Sequence, residues 1–409
     1  MVDQKEKRLE NLFWASLCCL AFFFPFQPTV TRILIGITII LWLLQGKYKN
    51  LTKRSLLYIA LFSSYYFINY IGLIHSQNTS AAIGRLSSRL IYLVFPLILI
   101  TSSLTTKKIN TILWIFTASV LTVSTVAIVL AAFTQPSDPT YNPIAYTNLT
   151  DTIKHHPTYL SLNVIAAIFF VASQLFKEKK WAHIELLLNI EIYLIVILLL
   201  LFSRGPILGF LIASGFIFLF VIAKNKSRKI ILAFCTFTLL LIATVSIFPS
   251  LRERFLGPIT NIEAKLKNDT QNESSALHLK SWYCAVELLS DYHFFTGYGS
   301  GDEKDVLADC YKDHSWLEMY SVKYNAHDEY LSCLLRTGLL ELFTLFGFLA
   351  TAFYVSISKK NMVYFGFTCV FAVSFFFTTL NDFSALILLS YFNSLLFVQS
   401  ELKVTTNPS

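Results

Sequence analysis

Charge is what this sequence has least of. Of 409 residues, only 14% are Asp, Glu, Lys or Arg, while 55% are hydrophobic and the mean hydropathy is +0.58. A soluble domain carries about 25% charged residues, so the shortage excludes a soluble enzyme and a disordered chain. Metal-ligand spacing is also missing. Seven Cys and eight His occur, but none is spaced as a zinc site, and seven thiols in so long a chain do not make a disulfide-framework module. A nucleotide-binding fingerprint is absent too. Phe295-Thr296-Gly297-Tyr298-Gly299-Ser300-Gly301-Asp302 alternates glycine at the wrong spacing with no strand before it, and reads as a turn packed close to another element. The two halves of the chain show no internal repeat.

What is present is a series of long apolar runs. A membrane helix needs about 20 mostly apolar residues. Twelve runs qualify, near 11–28, 29–46, 55–74, 86–103, 111–133, 157–176, 184–202, 206–223, 230–248, 328–356, 361–380 and 383–399. The expected fold is therefore all-α, a polytopic membrane protein of about 12 transmembrane helices forming a single integral-membrane domain over residues 1–409. The first run reads as a retained span, because no small-residue cleavage site follows Phe22-Phe23-Phe24-Pro25.

The net charge of +8 then becomes an orientation signal. Lys5, Lys7, Arg8, Lys47, Lys49, Lys53, Arg54, Lys107, Lys108, Lys177, Lys179, Lys180, Lys224, Lys226, Arg228, Lys229, Lys359, Lys360 and Lys403 are 19 of the 33 basic residues. All fall on one side if twelve spans alternate from a cytoplasmic N-terminus, which predicts that both termini are cytoplasmic. The opposite side receives residues 134–156 and a large loop, 249–327, between helices 9 and 10. Residues 249–326 hold eight basic and twelve acidic residues, which argues against a nucleic-acid partner. Leu279, Trp282, Tyr283, Val286 and Leu289 predict an amphipathic helix at 276–290 in that loop. Cys284 and Cys310 also lie there, and in an oxidising compartment they either pair or stay free.

Ionisable groups in or beside spans are expensive and mark function or structure. Arg85 and Arg89 share a helix face and read as a phosphate clamp or as side chains snorkelling to the interface. Ser203-Arg204-Gly205-Pro206 places Arg204 beside a helix N-terminus at the membrane boundary, where an anion is favoured. In His327-Asp328-Glu329-Tyr330, Asp328 suits an N-cap and His327 suits proton transfer, with Glu329 near enough in sequence to orient it. Arg336 and Glu341 read as an intramembrane ion pair, with Glu191 a further buried acid. His155-His156-Pro157 reads as interfacial residues before a helix-opening proline, or as a polar site.

These residues, in this order, resemble the O-antigen ligase and O-antigen polymerase family of bacterial inner-membrane glycan transferases. Ser203-Arg204-Gly205-Pro206 looks like its Arg motif, residues 278–301 like its loop helix, and His327-Asp328-Glu329-Tyr330 like its His-x-Glu motif. The resemblance implies a multi-pass protein of the bacterial inner membrane with a periplasmic large loop. It implies transfer of a glycan from undecaprenyl pyrophosphate to an acceptor hydroxyl, with inversion and without metal or cofactor. The acceptor is lipid A core in ligases and another lipid-linked glycan in polymerases; the single late loop leans towards ligation. Membrane lipids are the remaining partners. His327, Glu329 and Arg204 are the expected catalytic residues. Arg204, Arg85, Arg89, His278 and Lys280 are the expected pyrophosphate contacts, with His278 standing where the family usually has arginine. A lipid-saccharide or solute transporter is the alternative from another class, disfavoured because the polar motifs cluster at one membrane face.

Overall fold

The computed structural model describes residues 2–26, 28–135, 142, 144–225, 274–289 and 292–405. Among the described residues every regular element is helical. In chain order they begin with α1 (Val2–Phe23), α2 (Pro28–Gln45), α3 (Lys53–Leu73), α4 (Thr79–Arg89), α5 (Ile91–Thr101), α6 (Thr106–Phe133) and the short α7 (Tyr146–Asp151). Then come α8 (Pro157–Leu175), α9 (Trp181–Leu200) and α10 (Arg204–Asn225). The loop region gives α11 (Ser274–Leu288), α12 (His293–Thr296), α13 (Glu303–Asp313) and α14 (Leu317–Ser321). The chain closes with α15 (Glu329–Thr337), α16 (Leu339–Ser358), α17 (Met362–Ser374) and α18 (Phe383–Thr405).

Among the described residues, eight helical segments are long and apolar enough to cross a membrane: α2, α3, the α4–α5 pair, α6, α8, α9, α16 and α18. Arg204–Phe220 and Met362–Ser374 are shorter apolar helices. α1 fills the first expected position but carries a charged first half. The run at 230–248 lies outside the described residues.

Two expected boundaries move. The fourth span begins at Thr79 rather than near 86, capped by Asn78, so Arg85 and Arg89 sit well inside it. The run at 328–356 is broken. α15 ends at Gly338, whose φ of +66° only glycine adopts freely, and α16 starts a new direction. The break has a packing cause. A Cβ on Gly338 would lie 2.2 Å from the Phe295 carbonyl oxygen, and one on Gly297 would lie 2.4 Å from the Arg336 backbone. The glycine run 297–301 docks there: Tyr298 and Gly299 donate their N–H groups to Leu335 O and Arg336 O, each at 2.8 Å. These bonds satisfy carbonyls that the end of α15 would otherwise leave orphaned. The glycine-run turn is thus packed against another element, as its composition suggested.

The core is a bundle around α18, whose apolar residues from Ala385 to Val398 are buried nearly without exception. Its polar residues are matched locally. Tyr364 donates to Asn393 at 2.7 Å, Ser390 to Ile91 O at 2.7 Å, and Tyr391 to Leu17 O at 2.9 Å. Phe24 stacks on Phe116, and Phe392 packs against Phe116 at a tilt, through the centre. At one end of the bundle, Lys108 pairs with Glu10, and Arg54 and Lys359 both pair with Glu401. These are ends that the charge pattern assigns to a single side. The loop helices gather at the other end over their own small core of Leu307, Tyr311, Trp316 and Met319, where a disulfide joins Cys284 to Cys310.

The loop helix at 276–290 forms, but its buried face is not the expected one. Tyr283 and Val286 are exposed, whereas Ala276, Lys280, Ser281, Cys284 and Ala285 are buried. The Cys284–Cys310 bond turns the small residues of α11 towards α13; Leu277 and Leu288 pack partly buried on the same loop core, and Tyr283 and Val286 are left outward.

Candidate functional site

Six segments from different parts of the chain surround a cavity of about 260 Å3 at the loop end of the bundle, Tyr146 of α7 among them. The start of α8 supplies His156, Thr158 and Tyr159. The α9–α10 corner supplies Ser203, Arg204 and Gly205; α11 supplies His278; the stretch before α15 supplies Tyr324, Asn325 and His327; and Phe377 to Thr379 close it.

Local chemistry fixes each part. His156 caps α8, its Nδ1 accepting from Thr158 N at 3.2 Å, while Pro157 opens the first turn. Ser203 donates to Thr158 at 3.0 Å and ties the α9–α10 corner to α8. Gly205 is small by necessity, because a Cβ there would lie 2.9 Å from Phe377 Cβ. Arg204 is the first residue of α10 and so lies beside that helix's unsatisfied N–H groups.

His327 is held in a left-handed conformation, φ +49°, by a 2.8 Å bond from its N–H to Asn325 Oδ1. Its ring stacks on Tyr324 at 4.5 Å and meets His278 edge-on at 4.7 Å. Burial, then the charges of His156 and Lys304, push its pKa down to about 4. It is thus a neutral acceptor near pH 7. Next to it, burial pushes the Asp328 carboxyl up to about 6, against the backbone bonds from Leu331 and Tyr330. Asp328 caps α15 through Leu331 N at 2.9 Å, the N-cap role its sequence position implied.

Glu329 points elsewhere. Its carboxylate accepts from Tyr65 Oη, from Arg89 at 3.2 Å, from Arg336 at 2.7 Å and from Leu380 N at 2.5 Å. This corrects the expectation that Glu329 orients His327. Two residues apart at a helix entry, with His327 left-handed, the two side chains diverge. Glu329 belongs to a buried network of three arginines and three glutamates. Arg85 pairs with Glu303 at 2.8 Å, and Arg336 reaches Glu303 at 3.3 Å and Glu341 at 2.8 Å. Arg89 bridges Glu329 and Glu341. Asn69 and Thr337 complete the Glu341 shell at 3.1 and 2.5 Å. The charges balance, so buried ions that would each cost several kcal/mol alone are compensated. At Glu303, burial opposes the charge, but Arg85 and Arg336 prevail and hold its carboxyl below the ordinary value.

The expected Arg85–Arg89 clamp is corrected by the same geometry. The two share a face of α4, but that face meets carboxylates, and Arg89 is 0% exposed. Both arginines border a second cavity. Lys280 is buried, with its Nζ 5.1 Å from the centre of the Trp316 ring, and is not among the residues around His327. Arg336 and Glu341 form the ion pair their spacing suggested, while Glu191 takes no part in the network. The structure thus brings together His327, Arg204 and His278, and separates Glu329, Arg85, Arg89 and Lys280 from them. Sequence reasoning set His156 aside as interfacial and did not single out Tyr159 or Tyr324. The paired histidines before Pro157 were the one available signal.

Among the described residues, two groups of side chains stand close enough to hold a metal, and neither fits one. Cys284 and Cys310, beside Glu287 and His314, are bonded to each other; Glu329 and Glu341, beside Cys333, face Arg89 and Arg336.

A comparison with models of protein families matches residues 191–346 to the O-antigen ligase family. The match runs from within α9 into α16 and contains Arg204, His278, Lys280, His327 and Glu329. The similarity to the O-antigen ligase family thus covers residues 191–346, less than half of the chain, and among the described residues it accompanies eight helices long and apolar enough to cross a membrane. No curated protein matches the chain.

Proposed function

We propose that this protein transfers a glycan from undecaprenyl pyrophosphate to an acceptor hydroxyl at the periplasmic face of the inner membrane, as an O-antigen ligase acting on lipid A core. The observation that carries the reading is that one cavity brings the half-buried His327 together with Arg204 and His278, inside the region matched to the ligase family. Twelve spans with both termini cytoplasmic would put that cavity on the periplasmic side.

In this reading Arg204 and the first N–H groups of α10 bind the donor pyrophosphate, with His278 alongside. His327 takes the proton of the acceptor hydroxyl as its oxygen bonds to the anomeric carbon. The bond from that carbon to the phosphate oxygen breaks, and its electron pair leaves on undecaprenyl pyrophosphate. Attack from the face opposite the leaving group inverts the configuration. The low basicity of His327 is not an obstacle. An anionic pyrophosphate entering within a few ångströms favours the charged imidazolium and raises its pKa as the reaction needs it. The leaving group already carries the driving force, so neither metal nor nucleotide is called for.

The test is deletion of the gene followed by surface-glycan analysis. Loss of long-chain lipopolysaccharide with accumulated lipid-linked polymer supports ligation. Capping by single repeats would make the protein a polymerase, and an unchanged glycan profile would refute the reading.

A further inference from the structure

The second cavity at this end of the bundle holds about 390 Å3 and is bordered by Arg85 and Arg89 of the ion network. It opens between α4 and α13, bordered by Arg85, Lys304 and Lys323 with the small residues Ala81, Gly84 and Ser88. Its wall is cationic. Asp305, the carboxylate that lines it, is committed to Lys323 at 2.6 Å and Asn78 at 2.7 Å. The Glu303 charge facing Arg85 is shared with Arg336. Lys304 is exposed and has no carboxylate within ion-pair distance among the described residues.

Space and position also favour a ligand. A Cβ on Gly84 would meet nothing within 4 Å, so α4 is open along the Ala81–Gly84–Ser88 line. The outer side of α4 exposes Ile83 and Leu90, as a helix facing lipid does. The two cavities lie on either side of one short stretch. Thr378 and Thr379 border the His327 cavity, whereas Leu380 and Asn381 border this one. Consecutive Cα atoms are about 3.8 Å apart, so one amphipathic molecule can reach both. Lys304 is already near enough for its charge to act on His327.

We propose that this cavity binds a phosphoryl group carried by the acceptor, a phosphate-bearing saccharide anchored in the membrane, and so presents the acceptor hydroxyl to His327 across Thr378–Asn381. The inference rests on the proposed transfer reaction and names how its acceptor is recognised.

The experiment uses the full chain in nanodiscs, the variants Lys304→Gln and Gly84→Phe, and phosphorylated lipid A core beside the same lipid after enzymatic dephosphorylation. Lys304→Gln should raise the acceptor KM about tenfold, the scale of one charge-assisted contact, and leave the donor KM unchanged. The dephosphorylated acceptor should show the raised KM on the wild type and no further change on the variant. Gly84→Phe should weaken the acceptor by filling the space. An equal rise in the donor KM, or the same penalty with both acceptors, overturns the inference. Binding is also followed without donor, by tryptophan fluorescence. Wild-type transfer with undiminished lipid binding by both variants overturns the inference and leaves the reaction standing. Selective loss of lipid binding by the variants, with no transfer by any form, supports the cavity and refutes the reaction. Inorganic phosphate alone should not reproduce the lipid's signal; equal binding of free phosphate overturns the assignment to a lipid acceptor.

Discussion

Replacing Glu329 by Gln separates two roles that the sequence cannot tell apart. Glu329 is 0% exposed and accepts from Tyr65, Arg89, Arg336 and Leu380 N. Gln keeps one acceptor oxygen but turns an NH2 group towards N–H donors, and it removes one of three negative charges from a balanced cluster. The excess positive charge falls on Arg89 and Arg336, both 0% exposed. Removing one partner from a buried pair costs about 3–5 kcal/mol, so detergent-solubilised Glu329→Gln should unfold several degrees below the wild type when followed by tryptophan fluorescence. Corrected for the folded fraction, its pH–rate profile should keep the wild-type midpoints, because Glu329 does not touch His327. A stability loss below about 1 kcal/mol, the range of solvent-exposed pairs, together with a displaced pH midpoint, would refute the argument and return Glu329 to the side of His327.

Further outcomes follow from individual contacts. Arg204→Lys keeps the charge but loses the planar fork, and transfer should fall by about 10²-fold with normal expression; wild-type turnover removes Arg204 from the donor site. The folded pKa of His327 lies below its ordinary value, so the unfolded chain takes up protons first as pH falls from 6.5 to about 4, and stability is lost through that window. Asp328, raised to about 6, acts with the opposite sign, so the comparison needed is wild type against His327→Gln, which should be less acid-sensitive in thermal melts. Reducing Cys284–Cys310, separated by 26 residues, should cost about 3.5 kcal/mol on loop-entropy grounds and lower the melting temperature. Gly338→Ala meets Phe295 O at 2.2 Å with φ +66°, and should release the 297–301 turn to limited proteolysis.

The sequence made some of this legible for physical reasons. Long apolar runs report helices because length and hydropathy are local properties, and described helices occupy eleven of the twelve expected positions. Arg204 and His327 stand in short motifs beside helix starts, and His278 stands out only through its place in the loop helix where the resembled family usually has arginine. The buried network was not legible, since Arg89 and Glu341 lie 252 residues apart and only folding makes them partners. Glu329 was misplaced because nearness in sequence was taken for contact, while the left-handed backbone at His327 separates the two side chains. The face of α11 was misjudged because apolar spacing assumed burial against apolar neighbours, whereas the Cys284–Cys310 bond sets the rotation of the helix.

The central claim is that His327 carries the proton in glycan transfer. The direct measurement is the rate at which His327→Ala moves glycan from undecaprenyl pyrophosphate to lipid A core in proteoliposomes, with donor binding measured on the same preparation. The account predicts a fall in rate of about 10²–10⁴-fold with donor binding retained. Transfer at the wild-type rate by a normally folded His327→Ala protein would contradict it.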